Sequence, residues 1–316
     1  MRLRQVGSSG LLVSAVGLGC NSFGGRIDAA AGRAVVDAAI DAGITLFDTA
    51  DIYGNVGGSE ALLGQALVGR RDQVVLATKF GHQDFDMGYP AAVGAKGGRG
   101  YVRCAVEQSL RRLRTDHIDL YQLHTPDPVT PIQETLAALH ELVQEGKVRY
   151  VGHSNLAAWQ LADAAHLAVA GGWTPFVSAQ NEYSLLERSV EAELVPACER
   201  FGLGLLPYFP LAKGLLTGKV GRAGGIPAGT RLAGTPGYVT EGRLDRVEAL
   251  RTWAADHGRT VLEVAIGWLA CAPAVASVIA GATKPEQVRA NVAAGGWEPS
   301  PAELVEIATL TAPDRS

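Results

Sequence analysis

Short apolar runs alternate along the chain with longer stretches whose apolar positions recur at i, i+3 and i+4. The strand-like runs are residues 15–19, 44–48, 74–79, 118–124, 148–152, 176–180, 203–207 and 275–279. Amphipathic stretches lie between them at 29–42, 103–114, 132–144, 156–170, 190–201 and 285–293. Val102, Val106, Leu110 and Leu113, for example, mark one helical face. Runs that are apolar on both faces, each followed by a helix, predict a parallel sheet with helical crossovers. Eight such units in 316 residues predict an α/β fold, a (β/α)8 barrel of the TIM type, better than a doubly wound sheet. The first run reads Gly17-Leu-Gly-Cys-Asn-Ser-Phe-Gly-Gly25 and lacks the GxGxxG fingerprint, so a Rossmann unit has no starting motif. Residues 1–12, with Ser8-Ser9-Gly10 between short β-like runs, predict an N-terminal β-hairpin capping the barrel. Segments 83–100 and 219–238, rich in Gly, Pro and Ala, predict extended loops on the strands' C-terminal face, where barrels build sites. No linker separates regions of different composition, and one domain spanning 1–316 is expected.

Charge and cysteine usage narrow the function classes. Twenty-eight Lys and Arg against 32 Asp and Glu leave a net charge of −4, with no basic stripe, which argues against a nucleic-acid partner. Cys20, Cys104, Cys198 and Cys271 are scattered, with neither a CxxC pair nor zinc spacing, so no metal is expected. Arg2 and Arg4 are not followed by the apolar core of a secretory signal, nor is there an uncharged apolar run of about 18 residues. A cytoplasmic protein without a membrane partner is the expectation. Of the 28 bases only six are lysines, which makes each lysine worth inspecting.

Charged groups at strand ends carry the candidate chemistry, because polar groups inside a packed barrel are costly unless paired. Asp48 ends the second run and Tyr53 follows five residues later; Lys79 ends the third and His124 the fourth. Singly, each has a plain structural reading: a turn acid, a packing tyrosine, a snorkelling lysine, a structural histidine. Together they come from neighbouring strand ends that face one barrel mouth. A phenol with a pKa of about 10 is a slow acid at neutral pH. A nearby ammonium lowers that pKa, and a carboxylate keeps the ammonium charged and fixed. A neutral imidazole can then donate to a substrate carbonyl and orient it, which suits carbonyl reduction.

Phe47-Asp-Thr-Ala-Asp-Ile-Tyr-Gly54, Ala77-Thr-Lys-Phe80 and Tyr121-Gln-Leu-His-Thr-Pro-Asp127, in this order, resemble the signature segments of the aldo-keto reductases. The resemblance runs from the GLGC of the first strand to Ile279-Ala-Gly-Ala-Thr-Lys-Pro-Glu-Gln-Val-Arg-Ala-Asn-Val292. It implies a (β/α)8 barrel, extended NADPH without a Rossmann domain, Tyr53 as general acid/base tuned by Lys79 and Asp48, and His124 orienting the carbonyl. By the same resemblance Ser154 and Asn155 of Gly152-His-Ser-Asn155, with Gln180, hold the carboxamide. Tyr208 stacks under the nicotinamide, and the loop Phe209, Pro210, Leu211, Lys213 and Gly214 cradles the pyrophosphate. Gly19 and Cys20 at the first strand end and Arg231 in the second loop join the cofactor set. Gly281, Thr283 and Lys284 open a helix whose free N–H groups attract phosphate, and Lys284 paired with a 2′-phosphate favours NADPH over NADH. Gln287 and Asn291 match positions beside the adenine.

The chain departs from the family pattern at Phe209, which replaces a common Ser, at Ala280, which replaces a frequent Pro, and at Ala290. None touches the four candidate catalytic positions, so altered affinity is expected and activity is not lost. The expected function is NADPH-dependent reduction of a small-molecule aldehyde or ketone. The alternative is an NADPH-binding regulatory subunit with little turnover; a Schiff-base lyase using Lys79 ranks third. Arg26, Arg99 and Arg231 are the loop cations available to an anionic substrate, with solvated surface as their plainer reading.

Overall fold

The computed structural model describes residues 1–222, 226, 232–235 and 237–312. The N-terminal hairpin pairs β1 (Leu3–Gln5) with β2 (Leu12–Ser14) in antiparallel register, Leu3 opposite Ser14. Eight parallel strands follow: β3 (Val16–Gly19), β4 (Leu46–Asp48), β5 (Val75–Phe80), β6 (Ile118–Leu123), β7 (Val148–Ser154), β8 (Ser178–Gln180), β9 (Gly204–Leu205) and β10 (Val278–Gly281). From β3 to β9 each pairs with the next, and β10 pairs with β3. Leu205 bridges Val275, and the Ile279 amide donates to Pro207 O, so the sheet closes into the (β/α)8 barrel. The run expected at 275–279 thus divides: 274–276 bonds Leu205 across the seam, and the ladder with β3 occupies 278–281.

The outer layer contains α1 (Ala29–Asp41), α2 (Tyr53–Ala66), α3 (Arg99–Leu113), α4 (Ile132–Gln144), α5 (Ala158–Gly171), α6 (Leu194–Phe201), α7 (Glu241–Asp256), α8 (Val261–Cys271), α9 (Pro285–Ala294) and α10 (Pro301–Leu310). Local chemistry sets several of their ends. Asp28 caps α1 through the Ala31 amide, and Thr260 with Glu263 forms a capping box on α8. Gly202 ends α6 in the left-handed conformation. Helix α3 begins four residues before the expected 103: the Glu134 carboxylate accepts from the Arg99 amide at 2.9 Å, whereas the first turn, with Gly100, carries little of the apolar pattern.

Two apolar layers hold the barrel. The larger packs the outer strand faces against the helices. The smaller fills the barrel floor with Leu46, Ala77, Leu120, Leu206, Ala276 and Ile279, and the hairpin closes it from below through Val6, Leu11 and Val13. The barrel interior above this plug is polar. Loop 81–98 leaves β5 at the C-terminal face and is held by Lys96, whose ammonium donates to the carbonyls of His82, Gln83 and Phe85 at 2.7, 2.8 and 2.6 Å. No helix among the described residues is long and apolar enough to cross a membrane.

Candidate active site

Strand periodicity builds the site. Side chains two residues apart share a face, so the plug residues Leu46, Ala77 and Leu120 are followed, one step toward the C-terminal face, by Asp48, Lys79 and Gln122. All three are buried. Lys79 Nζ donates to Asp48 Oδ2 at 2.7 Å and to Thr49 O at 2.9 Å. The other carboxylate oxygen accepts from Gln180 Nε2 at 2.9 Å and Gln122 Nε2 at 3.3 Å. Burial pushes the Lys79 pKa down, but the Asp48 carboxylate, with a further contribution from the Tyr53 hydroxyl, outweighs it and holds the ammonium above its ordinary value. The lysine is therefore charged at neutral pH despite having no contact with solvent.

Tyr53 stands at the start of α2, beside this pair. Lys79 Nζ lies 5.1 Å from the centre of its ring, and the two side chains hydrogen-bond. The four residues after it, 54–57, all have positive φ and form a left-handed turn before the helix proper. Gly54 is required there: a Cβ would come within 2.4 Å of Phe23 O and 2.5 Å of the Ser59 amide. Val56, a β-branched residue at φ +64°, is strained in this turn. Tethers fix the helix behind it. Ser59 Oγ donates to Cys20 O and accepts from Thr49 Oγ1, both at 2.8 Å. Buried Glu60 accepts from Thr78 at 2.6 Å and from Arg112 at 2.6 Å.

His124 follows β6, its ring edge-on to Tyr53 at 5.8 Å between centroids. Burial, reinforced by the charge of Lys79 and by His82, drives its pKa well below the usual imidazole value, so the ring is neutral at neutral pH. His153 is a different case. It is fully buried, packed 5.3 Å from Phe176, and lies outside the cleft. Burial pushes its pKa down to about 3.

These groups open into a cleft of about 450 Å³ at the C-terminal barrel mouth. Asp48, Tyr53 and His124 line it, as do Gly19, Cys20, Ser154, Asn155, Gln180, Tyr208, Phe209, Pro210, Leu211, Lys213, Gly214, Gly281, Thr283 and Gln287. Lys79 sits behind Asp48. Asn155, at φ +63°, donates to His124 O and Ser154 Oγ, both at 2.9 Å, and accepts from the Tyr208 hydroxyl at 2.9 Å. Phe209, Ala212, Lys213 and Gly214 all have positive φ, so the backbone turns tightly here, and the Ala212 and Gly214 amides donate within the loop to Phe209 O and Leu211 O, both at 2.8 Å. Gln287 Oε1 accepts from the Thr283 amide at 2.7 Å and its hydroxyl at 3.1 Å, so these two candidates already partner one another. Lys284 is exposed at the start of α9, and buried Asn291 lies further along that helix; neither lines the cleft. Arg231 lies outside the described residues. Among the loop cations, Arg26 lines the cleft, whereas Arg99 bonds Glu141 on the outer surface.

The donor set suits a nicotinamide dinucleotide. The lining arises from neighbouring strand ends around half the barrel: amide-bonding side chains on β7 and β8, an aromatic face and a tightly turned backbone loop after β9, and a helix start after β10. Asp48, already paired with Lys79, is the only carboxylate in this lining among the described residues. A flat ring, a diphosphate and a second nucleotide would each meet complementary groups in turn.

A model of the aldo/keto reductase family matches residues 15–310. The chain belongs to the aldo/keto reductase family. It is 37% identical over 304 residues to an uncharacterized oxidoreductase of Bacillus subtilis, covering 93% of this chain and 91% of that one. It is 36% identical over 309 residues to a probable voltage-gated potassium channel subunit beta of Oryza sativa subsp. japonica, with 93% and 91% covered. It is 34% identical over 310 residues to L-glyceraldehyde 3-phosphate reductase of Escherichia coli O157:H7, with 93% and 87% covered. The chain is thus an oxidoreductase of this family.

This aldo/keto reductase also brings into the cleft residues that the sequence reading passed over: Asn21, Ser22, Ile52, His82, Thr217 and Ile279. Gln122 was legible in principle, since an amide two residues before His124 in a buried strand must face the barrel interior. His82 had no such signal, because it sits beyond a strand end, where periodicity no longer orients side chains.

Proposed function

We propose that the protein is an NADPH-dependent reductase of small aldehydes or ketones. The observation that carries this reading is the convergence of Asp48, Lys79, Tyr53 and His124 at one end of a cleft whose other walls suit a dinucleotide. NADPH, when bound, supplies the hydride. Tyr53 then delivers a proton to the carbonyl oxygen as negative charge grows on it, and the neighbouring ammonium stabilises the phenolate left behind. Asp48 keeps that ammonium charged and in place, with Gln122 and Gln180 fixing the carboxylate. His124, neutral, donates to the carbonyl and sets its direction toward the phenol. Ser154, Asn155 and Gln180 would bind the carboxamide, Tyr208 would stack on the nicotinamide, and the 209–214 loop would take the diphosphate. Thr283 and Lys284 would favour NADPH over NADH.

Tyr53→Phe removes only the hydroxyl. Carbonyl reduction should then disappear while NADPH binding, followed by fluorescence titration, is retained; full turnover by this variant would sink the mechanism. The relative named as a channel subunit supports a second reading, a cofactor-binding regulatory subunit. That reading is favoured if the pure protein binds NADPH tightly yet oxidises none with a broad carbonyl panel. The paired and buried Asp48–Lys79 couple beside Tyr53 favours turnover.

A further inference from the structure

His82 is the feature of the cleft that the proposed chemistry leaves unused. It follows β5, packs edge-on against His124 with ring centroids 4.7 Å apart and planes at 86°, and is held on its other side by Phe85 at 5.0 Å. Its side chain keeps 20% of its surface and lines the cleft. The Asp84 amide donates to its Nδ1 at 3.3 Å, which places the ring proton of the neutral imidazole on Nε2. Burial and the Lys96 charge outweigh Asp84 and keep the pKa below the ordinary value, so the neutral form prevails. No described residue accepts a hydrogen bond from Nε2. The ring is also rigidly mounted, because Lys96 holds the carbonyl of His82 itself and those of Gln83 and Phe85.

The cleft therefore holds two neutral imidazoles in contact, one assigned to the reacting carbonyl and one with a free, fixed donor. We propose that His82 is a specificity-determining residue whose Nε2–H donates to an oxygen on the carbon next to the carbonyl, making α-oxygenated carbonyl compounds the preferred substrate class. Ring centroids 4.7 Å apart set the two donors on the scale of oxygens on neighbouring carbon atoms. A plain alkyl carbonyl would set a methyl group against this N–H and leave it unpaired. The inference rests on the reductase reading above.

Hydroxyacetone and butanone test it, since they differ only by a hydroxyl in place of a methyl. In the reaction, hydroxyacetone gains a hydride from NADPH at its carbonyl carbon and a proton at its oxygen, giving propanediol and NADP⁺, and its own hydroxyl is unchanged. The wild-type kcat/KM should favour hydroxyacetone. His82→Phe should cut that preference about tenfold, the worth of one hydrogen bond, while leaving butanone within about twofold. His82→Gln, which offers an amide N–H near the same place, should restore most of it. Equal losses on both ketones, or no change in their ratio, would overturn the assignment. The same ratio is also read without turnover, from the dissociation constants of the two ketones in the NADP⁺-loaded protein. If the wild type reduces neither ketone, nor any other carbonyl, the reductase reading fails, and the His82 assignment then stands or falls on whether His82→Phe shifts that binding ratio.

Discussion

Asp48 and Asp51 lie three residues apart in one segment, both buried, and they meet opposite fates. Asp48 points into the barrel, where Lys79 pairs with one oxygen and two glutamine amides bond the other. Asp51 points the other way, and neither of its oxygens has a well-formed hydrogen bond among the described residues. Burial, with the nearby Glu60 charge, pushes its pKa up to about 8 against the weaker pull of Arg112, the Ile52 amide and Lys79. Equal burial thus leaves one carboxylate in an ion pair and the other protonated at neutral pH. The partners supplied by neighbouring strands, and not depth, decide which aspartate carries charge.

Removing the partner from the first site is the strongest test. Lys79→Met leaves Asp48 buried without its cation and Tyr53 without its ammonium. The rate of carbonyl reduction should fall by about a thousandfold, roughly 4 kcal/mol of barrier. Stability should fall too, and Asp48→Asn added to Lys79→Met should recover stability without recovering rate. A double variant as unstable as the single one would break the claim that the orphaned carboxylate is what costs. Next in size is the pair behind Tyr53. Arg112→Leu strands Glu60, which is fully buried, and should cost about 3–5 kcal/mol in urea unfolding. Adding Glu60→Gln should recover much of the loss, because it removes the unpaired charge.

The barrel and its hairpin were legible because strand periodicity, helical crossovers and turn chemistry all act over a few residues. Asp48, Lys79 and His124 were legible for the same reason: a charged residue ending an apolar strand has few places to go. The remaining features depend on contacts between distant segments. Asp51 reads in sequence as an ordinary turn acid, and only the fold reveals that no partner reaches it. The seam at 274–276 looks like the start of a strand until Leu205 claims it. Lys96 reads as a loop cation, but three carbonyls converge on it. Lys284 and Asn291 entered the cofactor set by resemblance, and the cleft lining does not include them.

Asp51→Asn sharpens the comparison from the other side. The folded pKa of about 8 exceeds the ordinary 3.8, so the native state holds a proton that the unfolded chain releases. Stability should therefore decline as pH rises between those values, and stop declining above the higher one. An amide at this position cannot ionise. The variant should match the wild type at about pH 4, exceed it by about 2 kcal/mol at about pH 6, and by up to about 5 kcal/mol at about pH 8. Denaturant midpoints across this range decide it, and parallel curves for the two proteins would mean that Asp51 is ionised in the fold.

Lys284 provides the limit in which charge meets neither burial nor a resident partner. It is exposed at the head of α9, and its partner under the proposed function would arrive only with the cofactor's 2′-phosphate. Water solvates the ammonium well in the free protein, so pairing exchanges one good environment for another. Lys284→Ala should weaken NADP⁺ binding by about 1 kcal/mol or less, roughly two- to fivefold, and leave NAD⁺ binding unchanged. The difference should shrink further in high salt, because an exposed pair is screened. A loss approaching the thousandfold expected at Lys79 would mean that this end of the cleft closes over its ligand and removes the water that now makes the two lysines so unequal.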